Sequence, residues 1–419
     1  MSLKQLVLKS LTEQAHRRLL CTLAASLLGL QGCAQAVISY SRAPIHGASP
    51  NTIRTLGPDG TFSDLSAVSV ARRVQALRGS EPVKILALSG GGADGAFGAG
   101  ALVGLTRAGS RTQFDVVSGV SAGALIAPYA FLGPAWDAQL VEIYTTGQAE
   151  HLLQPRALGA LLGSSIYRGA PLHALVDRYA TDAVIQAIAR EASAGRLLLI
   201  VTTDVETGEP VVWDLGSIAM NGGENARALF GGVLVASASV PGIFPPVVIR
   251  VAEQNAVFEE AHIDGAISLP FFVPSGFNES GHGPKVYVIV DGRLSEPSLP
   301  VPLRARAIVS RSVATGLDHL TRTTLELAAS NASLEGAQLH YSAIPSRYPG
   351  ASAFDFHAGP MRSLFGYGYE CARSGRLWIS SRDLDRPAVS GPGDAPQHIP
   401  CPVDDEFLGD VPVAVNAGS

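Results

Sequence analysis

One serine of the chain has the sequence context of a nucleophile. It is the centre of the motif Gly119-Val120-Ser121-Ala122-Gly123, which follows the short apolar segment Phe114–Ser118 and opens the apolar segment Ala122–Phe131. This order predicts a strand, a tight turn and a helix. Such a turn lifts the serine hydroxyl out of the sheet, while its glycines let the strand and the helix pack closely. The N-terminus of the helix also favours developing negative charge. The sequence therefore predicts Ser121 as a nucleophile.

A glycine-rich segment precedes this motif and has the same context. Gly90-Gly91-Gly92-Ala93-Asp94-Gly95 follows the apolar segment Val83–Leu88 and precedes Ala96–Arg107. The spacing fits a dinucleotide-binding turn, but the acid expected about twenty residues later is represented only by Asp115, at the start of a strand. A plain tight turn is a second interpretation, and an oxyanion hole built from successive backbone N–H groups is a third. Two strand–turn–helix units in succession favour the oxyanion hole.

A serine nucleophile needs a base, and the segment His262-Ile263-Asp264-Gly265-Ala266 offers two. Asp264 can accept the proton directly if it lies within hydrogen-bond reach of Ser121, and desolvation would raise its basicity. His262 is the rival, because a triad needs a histidine between the serine and an acid. The residues themselves leave both bases open.

The surrounding elements indicate an α/β fold. Apolar strands alternate with helical segments, which implies a mostly parallel sheet covered by helices on both faces. Residues 135–195 and 300–370 are predicted to be largely helical, and residues 380–419 to wrap the surface. The further predicted elements are a helix at Asp64–Leu77, strands at Leu197–Thr203 and Val286–Val290, and a hairpin turn at Thr207–Glu209 leading into Pro210–Trp213.

Composition excludes some classes of partner. The chain has 419 residues, of which 47% are hydrophobic and 16% charged, so that a sizeable core can form. The formal net charge is −5, and no basic stripe alternates with aromatic residues, which argues against nucleic acid. The net charge also gives the chain no general attraction to anionic lipid. No cluster of Cys and His predicts a metal.

The N-terminus predicts export and an anchor. Basic residues (Lys4, Lys9, Arg17 and Arg18) precede the apolar run Leu19–Leu30, as in an export signal. Leu30-Gln31-Gly32-Cys33 resembles a bacterial lipobox, in which the cysteine is lipidated and becomes the first mature residue. An ordinary cleaved signal with an incidental Cys33 is the alternative. Acyl chains on Cys33 would place the protein on a membrane of the bacterial cell envelope. Ala34 is not an inner-membrane retention Asp, which favours the outer membrane.

The four cysteines are consistent with such a compartment. Removal of the leader discards Cys21, and lipidation would consume Cys33. Cys371 and Cys401 could then form one disulfide in an oxidising compartment, or remain two thiols.

The three motifs, in this order, resemble those of the patatin-like phospholipase family. That family has a glycine-rich oxyanion loop, then Gly-x-Ser-x-Gly, then Asp-Gly-Gly or Asp-Gly-Ala. The resemblance extends over about residues 83–372. It includes three further segments: Asp204–Pro210, the small-residue block Ala236–Pro246, and Leu364–Tyr369.

The resemblance implies a patatin-like variant of the α/β hydrolase fold and a Ser–Asp dyad that needs no cofactor or metal. Ser121 would be acylated by a lipid or phospholipid ester, and Asp264 would be the base. The implied oxyanion donors are the N–H groups of Gly90, Gly91, Gly92 and Ala122. The chain departs from many relatives at Asp94, where they carry Arg. We expect this acid to point away from the anion or to cap the next helix.

The sequence thus predicts four parts: a signal peptide (residues 1–32), a tether and lead-in (33–82), a catalytic domain (83–372) and a C-terminal extension (373–419). Three alternatives stay open. They are acyl transfer on the same dyad, a non-catalytic envelope surface protein, and a nucleotide-binding oxidoreductase that uses the glycine-rich loop.

Overall fold

The computed structural model describes residues 51–155, 164–253, 256–277, 283–295, 300–346, 348–349 and 352–383. The predicted signal peptide, Cys33, Cys401 and most of the C-terminal extension lie outside these residues. Cys371 is disulfide-bonded, and its pairing with Cys401 stays a prediction. In the described part, no helix combines the length and the hydropathy needed to cross a membrane.

The described strands form one sheet of eleven. In chain order they are β1 (Thr52–Leu56), β2 (Phe62–Ser66), β3 (Lys84–Leu88), β4 (Val116–Val120), β5 (Leu197–Asp204), β6 (Pro210–Asp214), β7 (Val247–Glu253), β8 (Ala256–Asp264), β9 (Lys285–Arg293), β10 (Gln338–Ile344) and β11 (Ile379–Ser380). The spatial order is β11-β10-β9-β3-β4-β5-β6-β1-β2, while β8 pairs with both β5 and β7. The central run from β10 to β5 is parallel, and the added hairpins are antiparallel.

Helices cover the sheet. They are α1 (Ala67–Arg78), α2 (Ala96–Arg107), α3 (Ala122–Leu132), α4 (Asp137–Thr145), α5 (Ala170–Tyr179), α6 (Asp182–Ser193), α7 (Leu215–Asn221), α8 (Gly223–Ser237), α9 (Ala305–Leu334) and α10 (Ala358–Arg373). Short 3₁₀ helices include Gly92–Gly95 and Gly265–Ile267. The α/β architecture with a largely parallel sheet between helices is confirmed.

The central strands are apolar because both of their faces are buried. In β3, Leu86 and Leu88 pack into one core with α2, α3 and α10. Ile85 and Ala87 point to the opposite core, which includes residues of α1 and α9. A strand that is buried on both sides shows no polar alternation, and the continuous apolar runs of β3 to β5 follow from this.

The lead-in differs from the prediction. The helix expected at Asp64–Leu77 begins at Ala67, after the Ser66 hydroxyl accepts a hydrogen bond from the Ser69 N–H as its N-cap. Residues 62–66 form β2 instead, and β1 pairs in parallel with β6. Residues 52–78 of the segment predicted as tether and lead-in (33–82) therefore contain two strands of the sheet and helix α1, while residues 33–50 lie outside the described residues.

A close helix pair explains the late glycine motif. Helices α2 and α10 pack along their lengths, and a Cβ at Gly100 or Gly104 would overlap the carbonyl oxygens of Phe365 or Tyr369. On the facing helix, a Cβ at Gly368 would overlap the Phe97 carbonyl. Glycine at these positions lets the two helix backbones approach each other. The segment Leu364–Tyr369 is therefore a packing element behind the glycine-rich loop.

Gly100→Ala tests this packing. Alanine favours a helix by about 1 kcal/mol over glycine, but here its Cβ would force apart two packed backbones. Overpacking of this kind costs about 1–3 kcal/mol. We expect a net loss of stability, measured as the free energy of unfolding in denaturant. Gly359→Ala is the matched control, because this exposed glycine of α10 has no atom within 4 Å of its added Cβ. Equal effects of the two changes would contradict the account.

Candidate active site

The predicted nucleophile lies on a strained turn between β4 and α3. Ser121 has φ 54° and ψ −119°, and among the described residues it is the only non-glycine residue with a positive φ. Its N–H donates to the Ser237 hydroxyl at 3.0 Å. At the next turn, the Gly123 N–H donates to the Ser89 carbonyl at 3.1 Å, and a Cβ there would lie 2.5 Å from the Leu88 carbonyl oxygen. The turn that holds Ser121 thus packs directly on the glycine-rich loop.

Ser121 is hydrogen-bonded to Asp264. Its Oγ donates to Asp264 Oδ2 at 2.6 Å, and the other carboxylate oxygen, Oδ1, accepts the Ala266 N–H at 2.8 Å. Both residues are buried, with 5% and 2% of their surfaces exposed. Burial raises the pKa of Asp264 to about 7, against the smaller lowering effect of the hydrogen bonds from Ser121 and Ala266. This geometry gives the serine proton a direct acceptor of near-neutral basicity.

Strand β5 brings the two residues together. It pairs with β4, which ends directly before Ser121, and with β8, which ends at Asp264 opposite Thr202. The Asp264 N–H donates to the Ser239 carbonyl at 2.9 Å, and the Thr203 hydroxyl donates to the Asp264 carbonyl at 2.9 Å. Ser237 donates its hydroxyl to the Val201 carbonyl. The block Ala236–Pro246 therefore supports both the serine and the acid.

The glycine-rich loop lies against Ser121, and one predicted donor is corrected. The Gly90 N–H donates to the Pro270 carbonyl at 3.1 Å, so it is already engaged and does not point to an oxyanion. Gly90 instead gives space, since a Cβ there would lie 3.1 Å from the Ser121 Cβ. In the described part of the chain, no backbone acceptor is found for the N–H groups of Gly91, Gly92 and Ala122. These three remain the candidate donors.

The glycine-rich loop and the start of α2 are hydrogen-bonded to a buried acid, Asp291, that the sequence did not predict as part of the site. Asp291 is fully buried near the carboxyl end of β9, and its Oδ1 accepts the Gly98 N–H at 2.8 Å. Its own N–H donates to the Ser89 hydroxyl, which donates to the Gly90 carbonyl. Burial, with the nearby charge of Asp94, raises the pKa of Asp291 well above its ordinary value. Its position directly after the predicted strand Val286–Val290 was the available signal.

The Asp94 side chain does not occupy the N-cap of α2, since Gly95 holds that position without a side-chain cap. Asp94 is buried and carries a charge that acts on Asp291. Asp94 is thus a second acid close to Asp291.

His262 is engaged elsewhere. Its Nδ1 is 3.0 Å from the Thr202 hydroxyl and its Nε2 is 3.1 Å from Glu260 Oε2. Glu260 in turn accepts from Arg54 of β1 at 2.6 Å. Among the described residues, no histidine is hydrogen-bonded to Ser121 or Asp264. The geometry therefore pairs the serine with the acid and not with the neighbouring histidine.

The same network brings together three side chains of metal-ligand type. Ligand atoms of Asp204, Glu260 and His262 all lie within 4.8 Å of one another. Each already has a protein partner: Asp204 accepts the N–H groups of Glu206 and Thr207, and Glu260 accepts the Arg54 guanidinium. These contacts explain the cluster as a link between β1, β5 and β8.

Two substitutions of Ser121 separate its chemistry from its strain. Both remove the hydroxyl, but only glycine adopts this backbone conformation freely, and a side chain held there costs on the order of 1–3 kcal/mol. Glycine also loses more conformational entropy on folding than alanine does, which offsets about 0.5–1 kcal/mol of the relieved strain. We expect Ser121→Gly to be more stable than Ser121→Ala by about 1 kcal/mol in denaturant unfolding. A glycine variant of equal or lower stability would show that the turn is not strained.

Comparison with known proteins identifies the domain. The model of the family described as patatin-like phospholipase matches residues 86–274, which contain the glycine-rich loop, Ser121 and Asp264. The chain is also similar to the crystal structure of VipD from Legionella pneumophila, at 12% identity, over 78% of this chain and 72% of VipD, with a TM-score of 0.33. No curated protein matches the chain significantly. The family match, and not the weak structural similarity, carries the conclusion: residues 86–274 are a patatin-like phospholipase domain, and the chain that holds it is a lipid acyl hydrolase.

Proposed function

We propose that the chain cleaves fatty-acyl esters of lipids or phospholipids through a Ser121–Asp264 dyad. The observation that carries this is the 2.6 Å hydrogen bond from Ser121 Oγ to Asp264 Oδ2 in a buried site. A direct serine–carboxylate contact gives the proton a path that needs no imidazole. The raised pKa of about 7 makes the carboxylate a far better base than an exposed aspartate.

Acylation is the first half of the reaction. Asp264 takes the hydroxyl proton as Ser121 Oγ bonds to the ester carbonyl carbon, and the carbonyl oxygen becomes an oxyanion. The candidate donor N–H groups of Gly91, Gly92 and Ala122 donate to this oxyanion, with the N-terminus of α3 behind them. The carbon–oxygen bond to the alcohol then breaks, and Asp264 returns the proton to the leaving oxygen. The fatty acyl group stays on Ser121 as an ester.

Deacylation repeats these steps with water. Asp264 accepts a water proton as the water oxygen attacks the acyl carbon, and the same N–H groups hold the second oxyanion. The bond between the acyl carbon and Ser121 Oγ then breaks, and Ser121 Oγ takes the proton back from Asp264. The fatty acid is released. An alcohol in place of water would give acyl transfer, with the same groups and the same proton balance.

The pH dependence follows from the base. Asp264 must be ionised to accept the serine proton, and its pKa is raised to about 7. On a soluble short-chain ester, kcat/KM should fall about tenfold per pH unit below pH 7 and level off above it. His262→Gln should keep the same acid limb, because His262 does not contact the dyad. An acid limb near pH 4, the value of an exposed aspartate, would contradict the assignment.

Variants test the roles on a lipid substrate. Ser121→Ala and Asp264→Asn should each lower the release of fatty acid from phospholipid by at least about a hundredfold, the contribution of a general base or more. His262→Gln should retain activity within about tenfold. Mass spectrometry of the products in the presence of an alcohol separates free fatty acid from a new ester, and hence hydrolysis from transfer. If His262→Gln were as inactive as Asp264→Asn while folded, a triad would replace the dyad.

A further inference from the structure

Helix α9 has two halves that differ in their surroundings. It has 30 residues and is about 45 Å long. Its second half is seated on the protein, since Leu325 and Ala332 are buried in the core on one side of the sheet. In the first half no described side chain is buried; the first buried residue along the helix is Leu325. Twenty residues of the helix therefore precede its first buried side chain.

The exposed half extends past the edge of the sheet at which Ser121 lies. The chain leaves α9 and starts β10 at Gln338, opposite Lys285, so α9 ends near the amino edge of the parallel strands. Closer to the N-terminus of the helix, the Arg322 Nε donates to the Leu294 carbonyl at 3.0 Å, just beyond the carboxyl end of β9. The 17 residues from 305 to 321 continue in that direction for roughly 25 Å. The carboxyl ends of β3 and β4, which hold the glycine-rich loop and Ser121, lie at the same edge.

This extension is apolar and basic. Leu303, directly before the helix, is 92% exposed, and on the helix Ile308, Val309 and Val313 are 46%, 62% and 56% exposed. Val309 and Val313 lie on one face because they are four residues apart. Residues 301–321 contain three arginines (Arg304, Arg306 and Arg311) and one acid, Asp318, although the whole chain has a net charge of −5. The local charge is thus opposite to the overall charge.

Two segments that adjoin the dyad and the glycine-rich loop also expose apolar side chains. Ile267, three residues after Asp264, is 39% exposed. Phe354 is 48% exposed and follows Ala353, whose carbonyl accepts the Ala93 N–H of the glycine-rich loop at 2.9 Å. Exposed apolar groups therefore occur both beside the dyad and on the extension of α9.

We propose that the exposed apolar and basic part of this extension, together with Leu303 before it (residues 303–317), docks on an anionic phospholipid surface and holds the Ser121 edge against the bilayer. The proposal rests on the proposed function, which requires the ester to be reached in a lipid surface. Apolar side chains that enter the interface, together with arginines that meet anionic headgroups, give a segment its affinity for such a surface. A second copy of this chain would bring one basic segment against another, so charge favours an anionic lipid surface.

Vesicle binding tests the proposal in the full chain carrying Cys33→Ser, which removes the predicted acylation site. The probe is vesicles of phosphatidylcholine with phosphatidylglycerol, and sedimentation measures the bound fraction. Leu303→Ser, Val309→Ser and Val313→Ser together should lower the partition coefficient at least tenfold. The matched control is Leu327→Ser with Leu334→Ser, because these side chains are 59% and 85% exposed but lie on the seated half of the same helix. The control should bind as the parent does.

Charge and chemistry give separate readouts. Arg304→Gln should weaken binding to anionic vesicles and leave binding to pure phosphatidylcholine unchanged, because Arg304 is exposed directly before the helix. All variants should hydrolyse a water-soluble ester at the parental rate, while the triple serine variant loses activity on vesicles. If the parent chain itself did not hydrolyse the water-soluble ester, the proposed function would be wrong, and this result would not count against the docking surface.

Two results would overturn the docking proposal. One is binding of the triple variant to anionic vesicles at the parental level. The other is a parental dimer in solution that the triple variant converts to a monomer while vesicle binding stays the same, which would assign the surface to a second copy of the chain.

Discussion

The contact between a serine hydroxyl and a buried carboxylate sets the requirements for the rest of this structure. Ser121 and Asp264 are 143 positions apart, yet their oxygen atoms lie 2.6 Å apart. Two strands that both pair with β5 deliver them, and the hydroxyls of Ser237 and Thr203 fix the backbone on either side. A carboxylate is a strong enough base only when water is kept away from it. The site therefore depends on a core that encloses the sheet on both faces.

Burial of acids has a cost in stability. The pKa of Asp264 is raised to about 7 in the folded chain, against 3.8 for an ordinary aspartate. Between these values the folded state binds more protons than the unfolded state. The stability of the fold therefore falls as the pH rises from about 4 to about 7. Asp291, beneath the glycine-rich loop, has a raised pKa for the same reason and acts in the same direction. The chain thus accepts a less stable fold near neutral pH in exchange for a base that works there.

The sequence predicted the parts of the site that depend on local rules. Glycines next to a serine, between an apolar strand and an apolar helix, can be recognised without a structure, and β3, β4, β5 and the hairpin into β6 were predicted within a few residues. Long-range contacts were not predictable. The Gly90 N–H is engaged by the Pro270 carbonyl, and the loop residue Ser89 is hydrogen-bonded to Asp291, which is 202 positions away. Strands β1, β2, β7 and β8 are half-exposed or short, so their patterns are weak, and β10 was hidden in a segment predicted to be helical.

The most direct test of the account is to find which side chain a fluorophosphonate probe modifies in the intact chain. The probe reacts as an acyl ester does but leaves a stable adduct, and peptide mass spectrometry locates it. We predict a single adduct on Ser121, with labelling strongly slowed in Asp264→Asn and nearly unchanged in His262→Gln. An adduct on another residue, or labelling of Asp264→Asn at the wild-type rate, would contradict the Ser121–Asp264 dyad.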